Sequence, residues 1–288
     1  MSFKYLLKIA KKIVFTSIGI SVINVITTDT AKAAPCPAEG SQAAGGAQTS
    51  TCNTTPTVME IKFYELGFCT GDPLSGTNFD NSTCEKSWES TSGETTDLAN
   101  FSYTGLNSGL TFKVPNKRYD YAYVVFSPTW GLKGEVYFNN KTYYTTSDGT
   151  VTETLSEYDK FQMKLLNIDS NFPNGTCSVF SDNTAYGPVQ ARLTNSSLVS
   201  ANDVSSCNAA TRMVGSVDLD NPLYMTDEVS AYQLTWIIRD MGIEATDGGA
   251  SDAPVEWKGG PFVPNFTFQG GASTQPVETG NTLNVITN

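Results

Sequence analysis

The fold of this chain is decided by residues 57–69, Thr-Val-Met-Glu-Ile-Lys-Phe-Tyr-Glu-Leu-Gly-Phe-Cys. Apolar and polar residues alternate here, which is the period of a half-buried strand. The alternation moves by one position halfway along, so that the apolar residues are first Met59, Ile61 and Phe63 and then Tyr64, Leu66 and Phe68. A shift of one residue turns every later side chain to the opposite face of a sheet. We therefore predict a β-bulge after Phe63, or a strand that passes between two layers.

Segments with strand character continue along the chain. The strongest is Arg118–Phe126, whose two faces both become apolar towards its end, so we expect a central strand buried on both sides. Asn139 and Asn140 separate two further strands and predict a tight hairpin, because asparagine tolerates the positive φ of such turns. Residues 151–168 predict a short turn or helix that runs into a strand from Lys160. Further strands are expected at residues 110–114, 132–138, 141–146, 189–193, 210–219 and 233–245.

These short strands, with abundant turn residues and no long helical pattern, predict an all-β fold. We expect an antiparallel β-sandwich, of which a jelly roll is one form, with long loops and three disulfides. Residues 70–100 are rich in Asp, Ser, Thr, Gly and Asn and predict one such loop.

The ends of the chain differ in composition from its middle. Residues 1–33 combine a basic start, an apolar run and a closing Ala-Lys-Ala, which predicts a cleaved signal peptide. The alternative is a retained anchor, but the apolar run is short and interrupted, so no transmembrane segment is expected after cleavage. We assign residues 34–56 to a polar N-terminal arm and 57–270 to the β-sandwich, as one domain or two sub-domains. Residues 271–288 are a polar tail or a last edge strand.

Charge and histidine content exclude several functions. Without residues 1–33, which hold five lysines and one aspartate, 13 basic and 28 acidic side chains remain, a formal charge of −15. This balance argues against nucleic-acid partners, whose phosphate groups are bound by Lys and Arg side chains. The chain contains no histidine, which removes Ser-His-Asp and Cys-His catalysis and histidine-ligated zinc. We therefore do not expect an enzyme.

The six cysteines agree with export to an oxidising compartment. They fall into pairs that are close in sequence, so the simplest prediction is three sequential disulfides, although six cysteines allow 15 connectivities. The sequence contains no Cys-x-x-Cys pair, which would have favoured a metal site over disulfides. The predicted pairs are Cys36 with Cys52, Cys69 with Cys84, and Cys177 with Cys207.

Two kinds of ligand site are suggested by local composition. Asp218, Asp220 and Asn221 place three oxygen-bearing side chains within four residues, which suits calcium, although no cofactor is required by the sequence. Trp88 and Trp130 stand beside predicted loops and are candidates for stacking on surface glycans, whose sugar rings have apolar faces, although packing in the core is the preferred explanation for either one.

Carboxylates are the remaining candidates for chemistry. A glycoside hydrolase needs two Asp or Glu side chains across a sugar bond and no histidine. Carboxylates on or near predicted strands are Glu65, Asp120, Glu135, Glu244 and Glu256. Nothing in the sequence makes two of them converge, and the solvated faces of half-buried strands are the preferred explanation.

Three functions follow, in order of preference. The first is an exported structural or adhesive component of the periplasm or cell surface, from a bacterial source, with self-association through its terminal segments as in a fibre or surface layer. Addition of a terminal strand to a neighbour's sheet is one way to assemble such a polymer. The second is a secreted glycan-binding module, and the third is a histidine-free glycoside hydrolase.

Overall fold

A computed structural model provides the structure of the chain. It describes residues 51–99, 104–106, 108–138, 141–165, 180–184, 187–227, 229–238, 242–247, 254–259, 263–270 and 282–287. The predicted signal peptide and most of the predicted N-terminal arm lie outside the described residues. The described residues all belong to one compact unit.

The described part of the chain is almost entirely β-structure. Its other elements are a 3-10 turn at Leu155–Glu157 and one short helix, α1 (Val204–Ala209), which begins with a capping box between Asp203 and Ser206. In chain order the strands are β1 (Thr51–Thr54), β2 (Val58–Cys69), β3 (Cys84–Asp97), β4 (Thr104–Gly105), β5 (Leu110–Thr111), β6 (Arg118–Phe126), β7 (Thr129–Lys133), β8 (Glu135–Phe138), β9 (Lys141–Thr145), β10 (Val151–Thr152), β11 (Phe161–Lys164), β12 (Phe180–Thr184), β13 (Gly187–Thr194), β14 (Arg212–Tyr224), β15 (Val229–Ile237), β16 (Ile243–Asp247), β17 (Pro254–Gly259), β18 (Val263–Gly270) and β19 (Thr282–Thr287).

The strands form four sheets, and all but one of their pairings are antiparallel. The central sheet has nine strands, in which β12, β13, β14, β6 and β2 follow one another and β3 and β5 continue beyond β2. β7 also pairs with β2, and β11 pairs with β7. Two three-stranded sheets have the orders β1-β16-β17 and β10-β9-β8, and a four-stranded sheet has the order β18-β15-β19-β4. The prediction of an all-β, antiparallel fold is confirmed.

The bulge predicted in β2 is confirmed. The register of β2 shifts between Phe63 and Glu65 against both of its long neighbours, β3 and β6. Up to Phe63 every second residue is buried, whereas all five residues from Glu65 to Cys69 are buried. The extra residue lets Phe63 and Leu66 share one face of the sheet, and Glu65 then faces the other side.

One face of the central sheet, the inner face, packs against the two three-stranded sheets. Met59, Phe63 and Trp130 of the central sheet belong to one buried apolar cluster with Val136 of β8 and Trp257 of β17. The indole nitrogen of Trp257 donates to the backbone oxygen of Tyr144 in β9, at 3.3 Å. This face has the two-layer packing of a β-sandwich.

The opposite face, the outer face, is covered by the chain between β2 and β3. Residues 70–83 leave the sheet at Cys69 and return to it at Cys84, and we call them the covering loop. Leu74 is buried within a cluster that includes Val125 and Val214, and Phe79 stacks on Tyr123 with ring centres 5.2 Å apart. The covering loop thus supplies the outer apolar layer that a second sheet would otherwise provide.

Several sequence predictions match the structure at the level of single elements. β6 spans Arg118–Phe126 and lies between β2 and β14, as expected of a central strand. β8 and β9 pair with Phe138 opposite Lys141, so the predicted hairpin is confirmed, although Asn139 and Asn140 lie outside the described residues. The 3-10 turn at Leu155–Glu157 precedes β11, as predicted for that region.

Other predictions are wrong. Residues 70–100 are not one long loop, because β3 forms a strand of 14 residues within them. The single strand predicted at 233–245 is two strands, since β15 ends at Ile237 and β16 begins at Ile243 in a different sheet. Residues 51–54, assigned to the polar arm, form β1, which pairs with β16.

Candidate functional site

A charged network lies on the outer face of the central sheet. The hydroxyl of Tyr123 donates to Glu65 Oε1 at 2.6 Å, and Lys86 Nζ lies 3.1 Å from Glu65 Oε2 and 2.9 Å from Glu89 Oε1. We call these four residues the Glu65 network. The side chain of Glu65 is only 8% exposed, so its charge depends on these partners.

The network follows from the local sequence. The bulge after Phe63 turns Glu65 to the outer face, where Glu89 is its cross-strand partner in β3. Gly67, next on the same face, leaves room for the Tyr123 ring, because a Cβ atom there would collide with that ring and with the backbone oxygen of Glu85. A larger residue at position 67 would displace the phenol from Glu65.

The electrostatics of the network favour stability over catalysis. Partial burial opposes the charge of Lys86, but its hydrogen bond to Glu89 and the charge of Glu65 outweigh that cost, so the pKa of Lys86 is raised. Burial raises the pKa of the Tyr123 phenol far above its usual value, and the charge of Glu65 adds to the effect. A lysine held between two carboxylates favours the ionised form of both, which is unlike the pair of one protonated acid and one nucleophile in a glycoside hydrolase.

The other candidate carboxylates are spread over the molecule. Asp120 pairs with Arg118 at 2.6 Å, and Glu135 stands opposite Tyr144 in the β8–β9 hairpin. Glu244 is the exception. Burial raises its pKa, the charge of Lys258 opposes this, and the nearby Glu256 reinforces it.

Glu244 and Glu256 thus lie close enough to interact. Lys258 accompanies this pair and lies 3.0 Å from Glu256. The pair therefore repeats the two-carboxylate, one-lysine pattern of the Glu65 network on another sheet.

The predicted tryptophan platforms are corrected by the structure. Trp88 lies in β3 and Trp130 in β7, and both side chains are 0% exposed. Trp130 donates its indole N–H to the backbone oxygen of Ser127 at 3.0 Å and stacks against Phe126. Both residues belong to the inner-face core. The exposure expected for Trp88 is wrong because the residues around it form strand β3 and not a loop. Neither can stack on a sugar from solvent.

The predicted calcium ligands lie in β14, where its register with β6 shifts between Asp218 and Leu223. Asp218 stands opposite Tyr121 and raises the pKa of that phenol, an effect second to burial. The side chains of Asp220 and Asn221 lie outside the described residues. Among the described residues, no group of three or more His, Cys, Asp or Glu side chains is placed to hold a metal ion. The calcium site stays a prediction.

The disulfide predicted between Cys69 and Cys84 is confirmed, and it closes the base of the covering loop. Cys207 in α1 is also disulfide-bonded. Cys36, Cys177 and the side chain of Cys52 lie outside the described residues, so the other two predicted pairings stay predictions.

The covering loop is also anchored by polar side chains of β13. Arg192, which is 5% exposed, donates to the backbone oxygens of Gly76 at 2.6 Å and Leu74 at 3.1 Å. Gln190 donates to Asp72 Oδ2 at 3.3 Å, and Asp72 Oδ1 accepts from the backbone N–H of Leu74. The loop therefore has a fixed base, while most of its side chains from residue 75 to 83 are exposed.

The four-stranded sheet places the last described strand in its interior. β19 pairs antiparallel with β15 along Thr282–Thr287 and in parallel with the two-residue strand β4. This differs from the edge position that the sequence predicts. β18 flanks the other side of β15, so β18 and β19 run in the same direction with β15 between them.

Searches of protein-family models, of curated proteins and of solved structures found no match to this chain. The helix described in the structure is too short to cross a membrane, and no other described segment forms a helix that could do so.

Sequence reasoning missed most of the residues that organise the outer face. Tyr123 appeared only as one of several apolar residues of β6, and neither Arg192 nor Lys86 stood out as a candidate. One signal was present, since Glu65 falls at the position where the alternation of β2 changes phase. A charged residue at a phase change is a candidate for a buried ion.

Proposed function

We propose that this chain is an exported cell-surface protein that serves as the structural or adhesive subunit of a self-assembled fibre or layer. The observation that carries the proposal is the place of β19, the last described strand, inside the four-stranded sheet. A strand that occupies an inner position can leave its own chain's sheet and fill the same position in a neighbour, with every backbone hydrogen bond remade.

The connection to β19 supports exchange. β18 ends at Gly270, opposite Val229 at the start of β15, whereas β19 begins at Thr282, opposite Ile237 at the other end of β15. The two points are about 27 Å apart along β15 and about 29 Å apart once the spacing across three strands is included. Parallel strands in one sheet usually need a dozen or more connecting residues. Here 11 residues, 271–281, connect them.

A chain of this length reaches the required distance only when stretched. Its maximum reach is roughly 40 Å, but a flexible chain of that length has a root-mean-square end-to-end distance of about 18 Å. Closing β19 onto its own chain therefore costs conformational entropy. Donation to a neighbouring chain relaxes that constraint, and short connections of this kind favour strand exchange.

Changing the length of the connection tests the proposal. Deletion of residues 272–276 would leave a reach of roughly 24 Å, too short for self-closure, and should raise the fraction of the protein in polymers above that of the unaltered chain. Insertion of eight Gly and Ser residues at the same point should lower that fraction. Size-exclusion chromatography with light scattering, followed by negative-stain microscopy, measures the outcome for chains that begin at residue 34.

A truncated chain supplies the matched control. A variant without residues 282–288 can accept a strand but cannot donate one, so it should cap growing polymers of the 272–276 deletion variant and reduce their mean mass. Polymers of unchanged mass in that mixture, or a 272–276 deletion variant that stays monomeric, would refute strand exchange.

A further inference from the structure

Buried polar atoms without partners gather on the outer face beneath the covering loop. Among the described residues, the buried atoms that have no hydrogen-bond partner include Arg192 Nε, Thr194 Oγ1 and Ser200 Oγ. Buried polar groups in proteins are satisfied with few exceptions. Three such atoms in one region therefore call for an explanation.

The three side chains share one location. Arg192 and Thr194 are two residues apart in β13 and so point to the same face. Thr194 forms an isolated antiparallel bridge with Ser200, which places those two side chains next to each other. One stretch of the covering loop, residues 74–78, contacts these side chains and their backbone. Arg192 donates to the backbone oxygens of Leu74 and Gly76. The backbone N–H of Ser200 donates to Asn78 Oδ1 at 3.2 Å.

The charge of Arg192 is not matched by an ion pair. Its guanidinium donates only to backbone carbonyl oxygens, and no ion pair among the described residues includes it. Asp72 is the acidic group that faces it from the covering loop, but the Asp72 carboxylate is engaged by Leu74 and Gln190. Burial of an unpaired charge is costly, and a counter-ion removes much of that cost.

We propose that Arg192, Thr194 and Ser200 form a binding site for a small inorganic anion of halide size. Arg192 offers its Nε–H, and Thr194 and Ser200 offer their hydroxyl groups, so three donors without partners and one positive charge lie on the same part of the outer face. Thr194 is 0% exposed and Arg192 5% exposed, which excludes larger anions carried on a macromolecule. The anion joins the sheet to residues 74–78 and fixes the covering loop in place.

Thermal unfolding at constant ionic strength tests the site. The protein with its disulfides formed is melted in sodium chloride, sodium bromide and sodium gluconate, whose anion is too large for the site. A ligand bound only by the native state stabilises it in proportion to the logarithm of its concentration once the site is saturated. We expect a higher Tm in chloride and bromide than in gluconate, and loss of that difference in Thr194→Val and Arg192→Gln.

Controls separate binding from general effects of salt. Arg118→Gln removes a different arginine, which pairs with Asp120 at 2.6 Å in β6, and should keep the full halide response. Ser200→Ala serves as a milder variant if Arg192→Gln does not fold. A halide response that is absent from the native protein, or equal in Thr194→Val, would overturn the proposal. So would crystals grown in bromide whose anomalous map shows no peak beside Arg192 Nε.

Discussion

The two faces of the central sheet are stabilised in different ways, although the same strands build both. The inner face is a continuous apolar core in which Trp88, Met59 and Phe63 are 0% exposed. The outer face combines a disulfide, the Glu65 network and the Arg192 anchor with a smaller apolar cluster. Burial on the inner face is non-directional, whereas the outer interactions depend on geometry, charge and redox state.

The difference arises from what covers each face. Whole sheets pack on the inner face and supply enough apolar surface to bury large side chains. The covering loop is short and mostly polar, and it buries only Pro73, Leu74 and part of Phe79. Directional and covalent contacts compensate for the missing apolar area, as they do in small domains with limited cores. Mutations should therefore produce large, uniform losses on the inner face and smaller, condition-dependent losses on the outer face.

The largest single effect is expected on the inner face. Trp88→Ala should lower the free energy of unfolding by about 3–5 kcal/mol, because it leaves a cavity in a closely packed core. Leu110→Ala is the matched control, since Leu110 lies in β5 opposite Glu89 and is 67% exposed. Its effect should be within about 0.5 kcal/mol. Urea denaturation measures both, and similar losses for the two variants would contradict the burial of Trp88.

Removal of the disulfide is the next largest effect and belongs to the outer face. Cys69→Ala combined with Cys84→Ala opens a loop with a sequence separation of 15, for which a loss of about 3 kcal/mol is expected. Hydrogen exchange should increase at Thr70, whose backbone N–H donates to Thr83. Near-ultraviolet signals of the inner-face tryptophans should be unchanged. Loss of those signals would show that the two faces do not respond separately.

The Glu65 network gives a smaller effect that depends on both partners. Glu65→Gln and Tyr123→Phe should each cost about 1–3 kcal/mol, because each leaves a buried polar group with a weaker partner. The double variant should lose less than the sum, with a coupling energy of about 0.5–3 kcal/mol. Urea denaturation of the four proteins of this cycle measures the coupling. Strict additivity would mean that the 2.6 Å hydrogen bond between these side chains does not contribute.

The inner face was the more predictable of the two. Its residues in β2 and β6 follow the alternation of apolar and polar positions, and this periodicity is local information that a sequence displays directly. The bulge in β2 was predicted for the same reason, since the change of phase after Phe63 is visible without any knowledge of the partner strands.

The outer face could not be predicted because its contacts join residues that are distant in sequence. Glu65 meets Tyr123 across 58 positions, and Arg192 meets Leu74 across 118. β3 was missed because its polar sequence, Cys-Glu-Lys-Ser-Trp-Glu-Ser-Thr-Ser-Gly-Glu-Thr-Thr-Asp, lacks an apolar alternation and takes its conformation from pairing with β2. Strand formation depends on such tertiary context more than helix formation does. The exposure assigned to Trp88 was wrong for the same reason.

The smallest expected effect comes from the ionisation of buried tyrosines, which lowers the stability of the fold only at alkaline pH. Burial, and to a lesser extent the charge of Glu85, raises the pKa of Tyr119 to about 12 from its ordinary value of 10.0. Because the folded state holds the proton more tightly, the contribution of Tyr119 to stability is complete below pH 10 and is lost as the pH rises through 12. The hydroxyl also donates to the backbone oxygen of Pro115 at 3.0 Å, and deprotonation breaks that bond.

Tyr119→Phe should therefore flatten the fall in stability above pH 10 without changing the shape of the profile between pH 7 and 9. Free energies of unfolding from urea titrations at a series of pH values provide the profile. Tyr123 on the outer face also has a raised pKa, caused by burial and by Glu65, so part of the alkaline loss should remain in this variant and become smaller when Tyr123→Phe is added. Burial also raises the pKa of Tyr121, Tyr143 and Tyr158, so some loss should remain in the double variant. An unchanged slope in Tyr119→Phe would mean that the Tyr119 phenol ionises in the folded protein as readily as in the unfolded chain, and would contradict the raised pKa that its burial predicts.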